Sequence, residues 1–140
     1  MYSHETFIRV RYGETDQMGY MYYGNYAQFY EVGRVEMLRS MGLSYKSFEE
    51  GGIMMPVLEL SCKYIRPARY DDNIRVVTTL KVMPRMRIIF EYELYNSESQ
   101  LINTGSTTLV FVNMKTFKPC LPPVALRDKL KSYFENGLVT

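Results

Sequence analysis

Residues 12–26, YGETDQMGYMYYGNY, carry the densest set of groups that could do chemistry in this 140-residue chain. Five tyrosines (Tyr12, Tyr20, Tyr22, Tyr23, Tyr26) surround two carboxylates, Glu14 and Asp16, and two glycines, Gly19 and Gly24, directly before an amphipathic stretch. A loop this rich in aromatic rings is expected to fold back against apolar surface. Its far end meets a helix start, where unpaired backbone N–H groups and the positive end of the helix dipole favour a negative charge or a polarised carbonyl oxygen. A carboxylate a few positions upstream would face the same space, supplying a nucleophile or base next to an oxyanion site with no need of an imidazole. The same residues also have plain structural uses. Asp16 can accept from the amide two residues on, Asn25 can cap the helix, and the tyrosines can be core. At the level of spacing both readings stand.

The rest of the composition excludes other chemistry. The single histidine, His4, falls on an N-terminal segment expected to fray, so a Ser/His/Asp or Cys/His apparatus and a His-rich metal site lack their imidazoles. Cys62 and Cys120 form no CxxC pair, which excludes a zinc ribbon or a thioredoxin-like motif and reads as two reduced thiols. A net charge of +2 without a run of five like charges does not point to nucleic acid. No window approaches the roughly 20 apolar residues of a membrane span, and the start lacks the pattern of a signal peptide, so a cytoplasmic protein is expected.

The elements that must position the loop follow from periodicity. With 46% apolar residues and no linker, repeat or low-complexity tract, the chain reads as one domain over 1–140. Ile8, Val10 and Tyr12 alternate with Phe7, Arg9 and Arg11, which predicts a first strand with one buried face. Four more strands are predicted. One sets Met54, Leu58, Leu60, Cys62 and Tyr64 on its apolar face, the next runs from Ile74 to Val82, the third from Met86 to Leu94, and the last from Leu101 to Asn113 through the small residues 105–108. The short connections MPR (83–85) and NSES (96–99) make the last three antiparallel hairpins. Between the first two strands, residues 25–41 carry Tyr26, Phe29, Tyr30, Gly33, Met37, Leu38 and Met41 at helical spacing. Ser44–Glu50 reads as a short helix capped by Ser44, and a terminal helix starts near Pro122-Pro123 and presents Leu126, Leu130, Tyr133 and Phe134. The fold class is α+β, with a five-stranded antiparallel sheet wrapped around one long helix, and its edges leave room for self-association.

Two stretches carry a family resemblance. Arg11-Tyr12-Gly13-Glu14-Thr15-Asp16-Gln17-Met18-Gly19, followed by Tyr22-Tyr23-Gly24-Asn25-Tyr26 and Phe29-Tyr30-Glu31-Val32-Gly33-Arg34, resembles the signature of the 4-hydroxybenzoyl-CoA thioesterase family of hotdog-fold acyl-CoA thioesterases. Tyr64-Ile65-Arg66-Pro67-Ala68-Arg69-Tyr70-Asp71-Asp72 resembles that family's link between its second and third strands. The resemblance implies a hotdog fold and hydrolysis of an acyl-CoA or acyl-carrier-protein thioester, with no cofactor and no metal. Asp16 matches the family's catalytic carboxylate, as nucleophile or general base, and Tyr23 and Gly24 match its oxyanion amides. Tyr20, Tyr30, Met55 and the stretch Ser106–Thr108 are expected to line an acyl pocket, and Arg66, Arg85, Arg87 and Lys63 to meet CoA phosphates.

One departure stands out: tyrosine occupies position 23, where many bacterial members carry histidine. Glu31 and Glu36 resemble carboxylates used by other hotdog branches. The resemblance also implies a homodimer or a dimer of dimers with active sites at the subunit interface. A noncatalytic acyl-CoA binding protein on the same fold is the alternative. An RNA-binding sheet is disfavoured because Tyr64 and Tyr92 fall on the apolar face.

Overall fold

Alternation of apolar and polar residues and one helical stretch build the molecule in the order β1 (Tyr2–Arg9), α1 (Tyr26–Ser40), α2 (Tyr45–Glu50), β2 (Ile53–Met54), β3 (Val57–Tyr64), β4 (Asn73–Leu80), β5 (Arg87–Tyr95), β6 (Leu101–Val110), β7 (Val112–Asn113) and α3 (Val124–Val139). These elements are taken from a computed structural model that describes residues 1–139. The five long strands pair antiparallel in the order β1-β4-β5-β6-β3. Strands β4, β5 and β6 form the expected meander, while β3 crosses to the far edge and pairs with β6. The α+β reading of one long helix against an antiparallel sheet therefore holds.

Helix α1 packs on the inner face of the sheet at very short range. A methyl group on Gly33 would lie 2.5 Å from Thr78 Oγ1 and 2.9 Å from Val76 Cγ1, so glycine is what lets the helix lie on β4. One turn earlier, Tyr30 stacks face to face on Tyr92 of β5, with centroids 4.2 Å apart and planes 3° from parallel. The Tyr30 hydroxyl donates to Asn103 Oδ1 and also lies 3.3 Å from Cys62 Sγ. Tyr92 shares a 2.5 Å hydrogen bond with Thr107 Oγ1. Arg34 is buried and donates from Nε to the Tyr45 hydroxyl at 2.9 Å and from Nη1 to the Tyr92 hydroxyl at 3.4 Å. Burial raises the pKa of Tyr30 and Tyr92 above the usual phenol range, and lifts Tyr45 to about 12. Helix α3 adds Leu126, Leu130 and Phe134 to the same core, while Tyr133 stays half-exposed in an edge-to-face contact with Tyr2.

The structure corrects several expectations. His4 does not fray: it sits in β1 opposite Thr78, held by eight paired positions. The first strand ends at Arg9, and Tyr12 is exposed in a 3-10 turn because the chain must leave the sheet to form the loop. Strand β4 ends at Leu80, which leaves Val82 exposed and the β4–β5 connection longer than MPR. Met54 belongs to the small β2–β7 ladder, and the last predicted strand splits between β6 and β7.

The largest difference is β3. Its apolar face was expected to be buried, yet Leu58, Leu60 and Tyr64 are 53%, 44% and 52% exposed, because α1 lies mainly over β1, β4 and β5.

The absence of a side chain at Gly105 serves packing. A methyl group on Gly105 would collide with the Tyr30 hydroxyl and lie 2.6 Å from the Ser61 carbonyl oxygen. Gly105→Ala is therefore expected to destabilise the protein by about 1–3 kcal/mol, the usual range for overpacking. Urea unfolding checks this, and an unchanged midpoint would contradict the packing described.

Candidate active site

The loop between β1 and α1 is closed by its own polar groups. Glu14, buried in the 3-10 turn Tyr12–Glu14, accepts the Arg11 backbone N–H at 2.8 Å and an Arg11 guanidinium N–H at 3.2 Å. Its carbonyl oxygen accepts from the Tyr22 N–H at 2.8 Å and from Asn25 Nδ2 at 2.9 Å. Asn25 thus spends its side chain tying the loop to the helix start, not capping α1, which has no side-chain cap. Glycine is required at position 19, where φ is +80°.

A second tie joins this loop to the β3–β4 link. Met21 N–H donates to the Ala68 carbonyl at 2.8 Å, Tyr20 bridges Arg69, and the Arg69 guanidinium lies over the Tyr20 ring at 5.4 Å. The zipped segments enclose an open groove of about 320 Å³. Asp16, Met18, Tyr20 and Tyr23 form one wall, Tyr64, Ile65, Arg66 and Pro67 the other, and Met21 and Tyr26 lie between. Tyr26 meets Tyr64 edge to face at 5.2 Å, and Tyr23 meets Tyr64 at 6.4 Å.

Asp16 accepts the Met18 N–H on Oδ1 at 2.9 Å, the turn geometry foreseen as its structural use. Its backbone closes the same turn, since its carbonyl accepts from Gly19 N–H and its N–H donates to Tyr20. The second carboxylate oxygen has no partner among the described hydrogen bonds, and the residue lines the groove. The turn therefore aims the carboxylate without using it up. At the start of the helical run, the 3-10 turn Tyr23–Asn25 leads straight into α1, and the Tyr23 and Gly24 N–H groups have no acceptor among the described hydrogen bonds.

Of the residues singled out in the sequence, Asp16, Tyr20, Tyr23 and Arg66 meet at this groove. Tyr30 does not: it is fully buried under the sheet, occupied by Tyr92 and Asn103. Arg85 and Arg87 lie at the opposite end of the sheet. Arg87 pairs with Val110 and Tyr64 with Asn103, a separation of seven residues along β6, or about 23 Å at the rise of a strand. Lys63 points to the outer face of the sheet, where a larger trough of about 470 Å³ is floored by Ser61, Thr104 and Ser106. That trough mixes Lys and Glu, with Lys81 paired to Glu91 at 3.2 Å, and holds none of the loop residues. Met55 packs against the core, Glu31 faces solvent and Glu36 pairs with Arg39 at 3.6 Å. His4 is not among the groove residues. Tyr64, Ile65 and Pro67 were missed as groove residues. Their signal was the position of the YIRPARYDD stretch, which only topology places beside the loop. Among the described residues no cluster of three His, Cys, Asp or Glu side chains could hold a metal, and no helix is long and apolar enough to cross a membrane.

Comparison with known proteins identifies the family. Residues 10–130 match the family model described as the thioesterase-like superfamily. YneP of Bacillus subtilis is 32% identical over 112 residues, covering 80% of this chain and 81% of that protein. The acyl-CoA thioester hydrolase YbgC of Escherichia coli is 30% identical over 124 residues, covering 89% and 92%. The solved structure of a DHNA-CoA thioesterase from Staphylococcus aureus superposes with a TM-score of 0.82 at 35% identity, covering 99% of this chain and 88% of that one.

Proposed function

The chain belongs to the thioesterase-like superfamily, and on that premise we propose that it hydrolyses acyl-CoA thioesters in the groove between the β1–α1 loop and the β3–β4 link. The reading rests on one observation above all: Asp16 lines an open groove with a carboxylate oxygen left free, next to a helix start whose first amides lack acceptors. The free oxygen of Asp16 attacks the thioester carbonyl carbon, or takes a proton from a water that does so. In the first case the carbon–sulfur bond breaks, CoA leaves as the thiol after protonation by water, and a second water hydrolyses the acyl–Asp16 anhydride. In either case the carbonyl oxygen gains negative charge, which the Tyr23 and Gly24 N–H groups stabilise. No histidine takes part. The tyrosine-rich wall receives the acyl group, with Tyr20 held in place by Arg69.

Arg66 stands at the rim of the groove, exposed and without a carboxylate partner among the described ion pairs, and is suited to a CoA phosphate. Arg85 and Arg87 are too distant to act in the same protomer. A homodimer formed by antiparallel pairing of two β3 edges would bring them near the groove, because such pairing lays the Val57 end of one strand against the Tyr64 end of the other. The bare edge supports this assembly, since an exposed strand with an apolar row is a template for a second copy.

Three results are expected. Wild-type protein releases free thiol from acyl-CoA substrates, and Asp16→Asn lowers kcat at least about 100-fold, the scale on which such groups act. A protein that binds these esters tightly without releasing thiol would be a binder, and full activity in Asp16→Asn would remove that residue from the mechanism. Arg66→Ala raises KM for the CoA ester several-fold and leaves KM for an N-acetylcysteamine thioester, which lacks the nucleotide, unchanged. Leu60→Lys, which sets a charge on the β3 edge, converts a dimer to a monomer in sedimentation velocity. A dimer that survives the change would place the interface elsewhere.

A further inference from the structure

The oxyanion amides sit at the first turn of a helical run, and something must hold their direction while substrate enters an open groove. The Tyr64 hydroxyl lies 3.3 Å from the Tyr23 carbonyl oxygen and donates to it. A trans peptide is planar, so its C=O and the following N–H point in opposite directions. The peptide that accepts from Tyr64 is therefore the one that carries the Gly24 N–H, and anchoring its oxygen fixes the direction of that N–H. From this geometry we propose that Tyr64 is a positioning residue for thioester hydrolysis, its hydroxyl holding the Tyr23–Gly24 peptide so that the Gly24 N–H is aimed at the developing oxyanion.

The surroundings agree with this role. The Tyr64 ring is gripped edge to face by Tyr26 at 5.2 Å and Tyr23 at 6.4 Å, which directs its hydroxyl toward the turn. The neighbouring Cys62 and partial burial push the phenol pKa up to about 12, so the hydroxyl keeps its proton at any working pH. Cys62 Sγ accepts from Asn103 Nδ2 at 3.3 Å, and the one acceptor among the described hydrogen bonds for the Tyr64 hydroxyl is the Tyr23 carbonyl oxygen. Glycine at 24 makes the anchor necessary, because a residue without a side chain has the widest choice of backbone conformation. A methyl group there would meet the Tyr22 ring at 2.6 Å, and the half-exposed ring would have to move aside to admit it.

The inference rests on the thioester hydrolysis proposed above, and the experiment separates the two. Wild type, Tyr64→Phe, Cys62→Ser and Asp16→Asn are compared for kcat, KM and thermal midpoint with one acyl-CoA. The ring is half-exposed and stays in Tyr64→Phe, so the thermal midpoint is expected to hold. The expected result is a fall in kcat of about 10-fold or more, with KM within two-fold of wild type and Cys62→Ser unchanged. Such a fall without loss of stability is what an aimed donor predicts and a packing role does not. Wild-type kcat in Tyr64→Phe, with hydrolysis intact in wild type and lost in Asp16→Asn, would overturn the positioning role and leave the proposed function standing. A rise in KM alone would overturn it too, by making Tyr64 a binding group. No hydrolysis by wild type would overturn both.

Discussion

Helix α1 can be buried only if the phenol and the guanidinium on its inner face find partners under the sheet. A buried polar group left alone costs on the order of 1–3 kcal/mol, and an unpaired charge more. Tyr30 meets this requirement by stacking on Tyr92 and bonding Asn103, and Arg34 by donating to Tyr45 and Tyr92. These contacts have directions as well as energies. Together with the close approach at Gly33 they set the rotation of α1 and its position along its own axis. The place where the helix begins, with its free amides, is thereby decided in the core and not in the loop.

With that end point fixed, the loop has little freedom. Glu14 holds both ends of it, taking Arg11 on its carboxylate and Tyr22 and Asn25 on its carbonyl. The β3–β4 link closes the other side through Ala68 and Arg69. Asp16 shows why structural and catalytic readings of a loop carboxylate need not compete. One oxygen makes the turn that orients the group, and the other stays available. A carboxylate tethered in this way has given up its rotational freedom before substrate arrives, which is a requirement for attack in a defined direction.

Much of the fold was legible in the sequence because it rests on local periodicity. The helix over Tyr26–Ser40 and the β4–β5–β6 meander follow from spacings of three-and-four and of two, and short turns joined the strands. Where the reading failed, a nonlocal fact decided. The alternation in β3 has the pattern of a half-buried strand, but whether its apolar face is covered depends on what packs over it, and α1 lies mainly over β1, β4 and β5. His4 looked like a frayed end because nothing local shows that β4 will pair with it. Tyr30 has the chemistry of a pocket residue, and only the stack on Tyr92 shows it to be core. In the candidate site the loop residues were readable from their own types, whereas Tyr64 and Ile65 join it through the path of the β3–β4 link.

The open edge and the groove share a residue. Tyr64 is the last position of the exposed row Leu58, Leu60, Tyr64 on β3 and also part of the groove wall beside Tyr23. A partner that paired along β3 would cover that row and restrict the Tyr64 ring, reducing the freedom of its hydroxyl near the Tyr23 carbonyl. Burial would strengthen that hydrogen bond, since polar contacts gain when water is excluded. Association at the edge and orientation of the helix-end amide would then be linked through one side chain. The chain places an unpaired strand edge with an exposed apolar row where that link can be made.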